Sequence, residues 1–404
     1  MATRIKRKVC ILGSTGSVGK NALEIVRQQP DRFEIVGLAC GSSVDHLLAQ
    51  IEEFQPSFVS LGSEKLAGEI REKLPRGVEI FYGSMGHRDL VEQCRADVVM
   101  ASMSGTHGLL ATLQAIRQNV SVLGIANKEI LVMAGAYINE ALEESQTKLV
   151  PVDSEHSAIF QALMGNSRAE VSRIILTASG GPFRSLDKSA FSKITKAQAL
   201  QHPNWVMGSK ITIDSATMMN KGLEYIEAIR LFQLRPEQIE IVVHPQSIIH
   251  SMVEYQDHSV MAQLGISDMR IPISLALAYP HRLSIDLGQK INFASIAQLN
   301  FEKPDYERFP CLSLAIEAQK LGDQGPVILN ASNEIAVEAF LNDQISFVEI
   351  PQLIENALQY FADRKADSLD SVLVLDEEVR SWSIQMVDNS LNSEWGNKHH
   401  ELVN

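Results

Sequence analysis

The chain has 404 residues, more than one ordinary core organises, so two or three domains are expected. Hydrophobic residues make up 45% and charged residues 21%, the usual balance of a globular protein. The net charge of -13 disfavours nucleic acid as a partner, and an anionic substrate then has to be gathered by local basic groups.

The N-terminus, Met1–Lys8, is basic, and the apolar run behind it (Val9, Cys10, Ile11, Leu12) is too short for a signal peptide. That run reads as a strand. A glycine loop follows, then a helix over Asn21–Gln29, a strand over Glu34–Ala39 and a helix over Val44–Phe54. Strands at Phe58–Leu61, Val98–Met100 and Val120–Ile125 continue the alternation, which predicts a parallel α/β sheet. Near residue 150 the texture changes. Val150–Val152 is a strand ending in a carboxylate-rich turn, Ala158–Met164 a helix and Arg173–Leu176 a strand. Ile211–Ser215 reads as the end of a strand that caps a helix near Ala216. Ile241–Val243, Ile248–Tyr255 and Ser259–Leu264 are predicted strands, with Gln256-Asp257-His258 as a hairpin turn between the last two. Residues 286–312 show little periodicity and are expected to be a connecting arm. Helices follow over Leu312–Leu321, Ile328–Leu341, Phe347–Phe361 and Val372–Ile384. The polar residues 391–404 are expected to be a disordered tail. No stretch reaches transmembrane length, and Cys10, Cys40, Cys94 and Cys311 form no CxxC pair. Free buried thiols in a reducing compartment, and a cytoplasmic location, are the expectation.

Six segments carry chemistry. Gly13-Ser14-Thr15-Gly16-Ser17-Val18-Gly19 joins the first strand to the first helix, where glycine permits a tight turn and the helix N-terminus meets a pyrophosphate. The second strand ends in Cys40-Gly41-Ser42-Ser43 with no acid for a ribose 2′-hydroxyl, which favours NADPH. Asp153 and Glu155 lie two apart; in extended chain they project together and suit a hard divalent cation such as Mg²⁺ or Mn²⁺, whereas at a helix start they are a cap and a first-turn acid. Asn220, Lys221 and Glu224 share one helical face, which reads either as a site or as a solvated ion pair. Ser179-Gly180-Gly181 and Ser215 at an expected helix N-terminus are candidate phosphate binders, with Lys221 as point charge. The segment Gln201–Gly208, with Trp205 and Met207, suits a lid that excludes water.

These segments together resemble the 1-deoxy-D-xylulose 5-phosphate reductoisomerase family. The carriers are the GSTGSVG loop, Asn127-Lys128-Glu129, PVDSEHSAIFQ (151–161), ASGGPF (178–183), HPNWVMGSKITIDSATMMNKGLEYIEA (202–228), HPQSIIHSMVEY (244–255) and NASNEIAVEAF (330–340), in matching order over nearly the whole chain. The resemblance implies an N-terminal Rossmann-like parallel-sheet domain (1–150), a central α+β catalytic and dimerisation domain (151–285), the arm, and a C-terminal helical domain (313–390) in a homodimer. It implies that Thr15, Gly16, Ser17, Val18, Gly41, Ser42, Ser43, Asn127, Glu129 and Gly208 bind NADPH. Asp153, Glu155 and Glu224 would hold the metal. Lys128, Ser154, Glu155 and Glu224 would contact the substrate's reacting end, and Ser179, His202, Ser215, Asn220 and Lys221 its phosphate. The implied reaction takes 1-deoxy-D-xylulose 5-phosphate to 2-C-methyl-D-erythritol 4-phosphate in the non-mevalonate isoprenoid route. The skeleton rearranges by retro-aldol and aldol steps or by an α-ketol shift, with Lys128 offsetting negative charge, and NADPH reduces the product. Two departures from the family pattern stand out: Ser42-Ser43 after Gly41, and Asp257-His258 where the hairpin usually holds Asp-Gly. Two other readings compete. A semialdehyde-type dehydrogenase needs a cysteine nucleophile, for which only Cys311 is placed; a dinucleotide sensor leaves the three acids without a purpose.

Overall fold

The computed structural model describes residues 5–205 and 207–392, with side chains through Asn389. In chain order the elements are β1 (Arg7–Leu12), α1 (Ser17–Gln28), β2 (Phe33–Ala39), α2 (Val44–Phe54), β3 (Phe58–Leu61), α3 (Glu64–Ile70), β4 (Glu79–Tyr82), α4 (Gly83–Cys94), β5 (Val98–Ala101), α5 (Leu109–Arg117), β6 (Val122–Ile125), α6 (Lys128–Glu143), β7 (Lys148–Pro151), α7 (Ser154–Ala162) and β8 (Val171–Ala178). They continue with α8 (Lys196–Ala199), α9 (Ser209–Ala216), α10 (Met219–Phe232), β9 (Ile239–Val243), β10 (Ile249–Tyr255), β11 (Val260–Leu264), α11 (Arg270–Ala278), α12 (Phe293–Ile296), α13 (Pro310–Lys320), α14 (Gln324–Leu341), α15 (Glu349–Tyr360) and α16 (Leu369–Asn392). Two compact units result. The first holds Met1–Leu131, Tyr137–Ile174 and Ile248–Ala297; the second holds Val132–Ala136, Ile175–Ser247 and Gln298–Asn404.

The first unit is built on a seven-stranded sheet of order β4-β3-β2-β1-β5-β6-β7, every neighbouring pair parallel. Its strands are near-continuous apolar runs because helices cover both faces. Val9, Ile11, Leu38, Val59, Val98 and Met100 are fully buried in one core with Leu23 and Ile25 of α1 and Leu47 of α2. The order reverses at β1, which has β2 on one side and β5 on the other, so the loops after β1 and β5 frame a crevice at the strands' C-terminal ends. Helix α11, not foreseen in the sequence, packs on the same sheet through Ile273, Ala276, Leu277 and Ala278. A Cβ on Gly124 of β6 would stand 3.1 Å from the Ala276 methyl, so glycine lets that helix approach. The unit also contains the antiparallel pair β10–β11 with the first half of β8 beside β10. At the tip of that hairpin His258 takes the left-handed conformation (φ +66) that a glycine adopts more readily, and Asp257 Oδ1 steadies the turn by accepting from the Ser259 amide at 3.0 Å and hydroxyl at 2.6 Å.

In the second unit β9 lies beside the second half of β8, and the rest is helical. The four C-terminal helices foreseen are present as α13 to α16. A phenylalanine cluster of Phe183, Phe191, Phe309, Phe340 and Phe347 packs in edge-to-face and tilted pairs. Of the tail expected over 391–404, residues 393–404 lie outside the described residues, and the backbone of the first two continues α16. The four cysteines are free and buried, as expected. No helix among the described residues is long and apolar enough to cross a membrane.

Three local expectations are corrected. Ile211–Ser215 is not a strand but the body of α9. The β-branched run suggested a strand. Thr212 instead bonds its hydroxyl back to the Gly208 carbonyl (2.8 Å), and the burial of Ile213 outweighs local propensity. Helix α7 begins at Ser154 rather than Ala158, so Asp153 and Glu155 are a cap and a first-turn residue, not neighbours in extended chain. Helix α1 starts at Ser17, directly behind the glycine loop.

One buried group makes the first unit acid-sensitive. His87 sits 2.7 Å (Nδ1) from the Ser60 hydroxyl, and burial, assisted by the charge of His107, lowers its pKa from 6.5 to about 4. The unfolded chain therefore binds a proton that the folded one refuses between those values. Stability is full above about pH 6.5 and falls as pH drops toward 4, by on the order of 2–3 kcal/mol for this group. Urea denaturation at pH 7 and pH 4.5 should show this loss in the native chain and a smaller one in His87→Gln; equal losses would remove His87 as the cause.

Candidate active site

The first unit supplies a cradle for a dinucleotide. Gly13 has φ +88, and a Cβ there would lie 2.5 Å from the Ser102 carbonyl oxygen, so only glycine brings the loop after β1 this close to the loop after β5. The Gly13 and Ser14 amides both donate to the Ala39 carbonyl (2.9 and 2.8 Å), which ties the loop to the end of β2. Gly16 is the N-cap of α1 and offers no side-chain cap, so the first amides of that helix stay available to an anion together with those of Thr15 and Ser17. Gly41, Ser42 and Ser43 stand exposed behind β2, and Ser43 caps α2 without a side-chain bond. Their hydroxyls suit a 2′-phosphate in place of the missing acid.

A second cluster joins the starts of α6 and α7. Asn127 caps α6, its Oδ1 accepting from the Ile130 amide (3.1 Å) while its own amide donates to the Gly105 (2.8 Å) and Met103 carbonyls. That side chain therefore shapes the 103–105 loop. Lys128, 6% exposed, reaches Asp153 Oδ2 at 3.0 Å. Asp153 caps α7, with its Oδ1 3.2 Å from the Glu155 amide and 3.2 Å from Nδ1 of the fully buried His156. Ser154 donates to Glu155 Oε2 at 2.6 Å. The same carboxylate thus caps the helix with one oxygen and meets Lys128 with the other. His156 was not singled out in the sequence; the signal for it is its place three residues after a capping aspartate.

The second unit gathers the expected phosphate residues. Gly180 and Gly181 both have positive φ, and a Cβ on Gly181 would meet the Ser215 carbonyl at 2.6 Å, so the Ser179-Gly180-Gly181 turn packs directly on Ser215. His202 Nδ1 accepts from the amides of Asn204 (3.2 Å) and Trp205 (2.9 Å), which leaves Nε2–H to donate to the Ser179 hydroxyl at 3.2 Å. Burial lowers the pKa of His202, which agrees with that neutral tautomer. Trp205 and Met207 are half-buried, Val206 lies outside the described residues, and Asn204 anchors the segment to the Pro245 carbonyl (2.8 Å) and the Ser247 hydroxyl (2.9 Å).

Ser215 lies in the last turn of α9, not at a helix N-terminus as expected. The helix start nearby is that of α10, whose N-cap Met218 (φ +60) provides no side-chain cap and whose Met219 amide donates to the Thr217 hydroxyl at 3.3 Å. On α10 Asn220 and Lys221 both donate to Glu224, as the shared face predicts. The group is buried (Lys221 4%, Glu224 1% exposed), which rules out the solvated ion pair. The sequence reading missed Asp214, buried and held by Lys210 Nζ (2.9 Å) and Asn333 Nδ2 (2.9 Å); the i,i+4 spacing of Lys210 was its signal once 209–216 is helical. Cys311 is buried and its thiol is pushed up to about 12 by burial first and by the Asp214 charge second, so it supplies no thiolate for a semialdehyde-type dehydrogenase.

A glycine cradle at the switch point of a parallel sheet, with the buried Lys128–Asp153 pair in the same unit, is the architecture of a dinucleotide-dependent enzyme. Family models agree over most of the chain. The model for 1-deoxy-D-xylulose 5-phosphate reductoisomerase matches residues 9–135, and two models of its C-terminal domains match 149–232 and 264–382. The chain belongs to the 1-deoxy-D-xylulose 5-phosphate reductoisomerase family. The reductoisomerase of Chloroherpeton thalassium is 49% identical over 383 residues, covering 95% of this chain and 98% of that one. The solved structure of the Zymomonas mobilis enzyme in complex with NADPH has a TM-score of 0.88 at 42% identity, over 95% of this chain and 99% of that one. A further reductoisomerase structure, in complex with NADPH, fosmidomycin and magnesium, has a TM-score of 0.89 at 36% identity, over 95% and 98%.

Proposed function

We infer that this chain converts 1-deoxy-D-xylulose 5-phosphate to 2-C-methyl-D-erythritol 4-phosphate, rearranging the carbon skeleton and then reducing it, in the non-mevalonate route to isoprenoid precursors. The observation that carries the residue assignment is the buried Lys128–Asp153 contact beside Glu155 at one helix start. A lysine cation next to carboxylate oxygens supports the reading, because such a pair suits an enolate-like charge.

Asp153, Glu155 and Glu224 hold the divalent cation in this reading. A purely carboxylate set suits Mg²⁺ or Mn²⁺ rather than a softer metal. NADPH rests on the Thr15–Val18 turn with Gly41, Ser42, Ser43, Asn127, Glu129 and Gly208 around it, a fit supported by the glycine cradle and the uncapped start of α1. When bound, the cation polarises the substrate's oxygens and NADPH supplies hydride. Lys128 stabilises negative charge on the reacting oxygens, and Ser154 and Glu155 orient them. Ser179, His202, Ser215, Asn220 and Lys221 grip the phosphate, with the His202 Nε2–H and Ser179 hydroxyl as neutral donors and Lys221 as the charge. Trp205 and Met207 close over the substrate and keep water from the reactive fragments. The domain scheme of 1–150, 151–285, 286–312 and 313–390, a homodimer and a cytoplasmic location complete the proposal.

The test is NADPH oxidation with 1-deoxy-D-xylulose 5-phosphate and Mg²⁺ or Mn²⁺, with and without EDTA. Turnover that chelation abolishes and metal restores is expected. Turnover indifferent to EDTA would remove the carboxylate metal site from the reading.

A further inference from the structure

Arg7 opens β1, which the glycine loop follows, and Phe33 opens β2, which Gly41 follows soon after. The starts of these strands are thus the end of the sheet away from the cofactor crevice, about 20 Å off at a strand's rise per residue. A cleft of about 240 Å³ lies there, and its lining includes Arg7, Arg32, Phe33, Tyr279, His281 and Leu283. Backbone pairing sets the two arginines side by side: the Arg7 amide donates to the Arg32 carbonyl at 2.9 Å. Arg7 Nη1 donates to the carbonyls of Leu277 (3.1 Å) and Tyr279 (3.0 Å), behind α11. These bonds orient the guanidinium and leave its Nε and Nη2 without a partner among the described residues. The side chains of Arg32 and His281 have no partner among the described residues either.

Among the described residues no carboxylate lines the cleft. Asp97, the acid whose charge Arg7 feels, accepts from the Lys8 amide at 2.8 Å. In a chain of net charge -13, two arginines and a histidine around one acid-free cleft are a local reversal of sign. A guanidinium whose Nε–Nη2 edge is unbonded is shaped to take two oxygens of one phosphate. Half-burial already strips Arg7 of water, so an anion there restores lost solvation.

We propose that this cleft is a second anion site, which binds the phosphate or diphosphate of a small organic phosphate and rests the organic part on Tyr279 and Leu283. It is separate from the phosphate residues of the reaction. Isothermal titration is run with inorganic pyrophosphate and with pentyl diphosphate, on the native chain and on Arg32→Ala/His281→Ala. The catalytic phosphate residues can also take these probes, so the reading is the number of sites together with the His281 ring resonances by NMR. Two sites in the native chain are expected, with His281 shifting on titration. The double variant should keep one site and its unfolding temperature, the other site weakening at least about tenfold. Tighter binding of pentyl diphosphate supports an organic phosphate; equal binding overturns that part and leaves an inorganic anion site. One site in the native chain with an unmoved His281, or two sites untouched by the double variant, overturns the proposal.

Discussion

Glu224→Gln should lower kcat/KM by on the order of 10³-fold, equivalent to about 4 kcal/mol of lost transition-state stabilisation. The amide keeps the shape, but Asn220 and Lys221 donate to separate oxygens of Glu224 on the same face of α10, so the amide's single oxygen can accept from only one of them while its NH2 donates. It removes the negative charge that a divalent cation requires and that Lys221 now balances. The fold should survive with reduced stability, because the replacement has the same size while buried Lys221 loses its counter-charge. Two measurements separate the roles: Mn²⁺ affinity by titration, and turnover against metal concentration. Weaker Mn²⁺ binding with lost turnover supports the ligand assignment. Unchanged Mn²⁺ binding with lost turnover would make Glu224 a partner of Lys221 alone, and full turnover would sink both ideas.

Gly19→Val should abolish NADPH binding at working concentrations, an expected loss of at least about 100-fold in affinity, which is nearly 3 kcal/mol. A Cβ on Gly19 would lie 2.3 Å from the Gly13 carbonyl oxygen and 2.5 Å from the Ser14 Cα. Both obstacles are backbone, so the loop or α1 has to move and the cradle opens. The same overpacking should cost 1–3 kcal/mol of stability. The contrast is Gly68→Ala on the exposed side of α3, where a Cβ meets nothing within 4 Å and alanine should stabilise by about 0.5–1 kcal/mol. Fluorescence titration with NADPH and thermal unfolding of both variants provide the check. If Gly19→Val binds NADPH normally while folded, the loop is not the cofactor cradle.

Much of this was legible along the chain wherever a local pattern has a single structural meaning. A short apolar run such as Val9–Leu12, bounded by a glycine loop within an α/β alternation, reads as a buried strand, and β1 is one. Residues three and four apart on a helix face each other whatever surrounds them, so the Asn220–Lys221–Glu224 group was readable before any contact was known. The glycines of the first loop announced close backbone approach, though not the atoms approached. Only folding supplied the Ser102 and Gly13 carbonyls as the reason.

Tertiary structure decided the cases in which local preferences disagree. Thr212 and Ile213 prefer strands by propensity, yet buried positions and a hydroxyl bonded to the preceding turn make them helical. Asp153 can be a ligand in extended chain or a cap, and the start of α7 at Ser154 determined that it caps while its other oxygen meets Lys128. The protonation of His202 cannot be read from its neighbours in sequence. Two backbone amides folded onto Nδ1 set it. Helix α11 has no local signal for its destination, since its apolar residues fit any core, and the bare Cα of Gly124 selects the parallel sheet. The sequence by itself thus determined the strand–helix order, the family and the kinds of side chain available for the chemistry. Which of them touch was left to packing, because contact depends on volumes and angles that no stretch of chain contains alone.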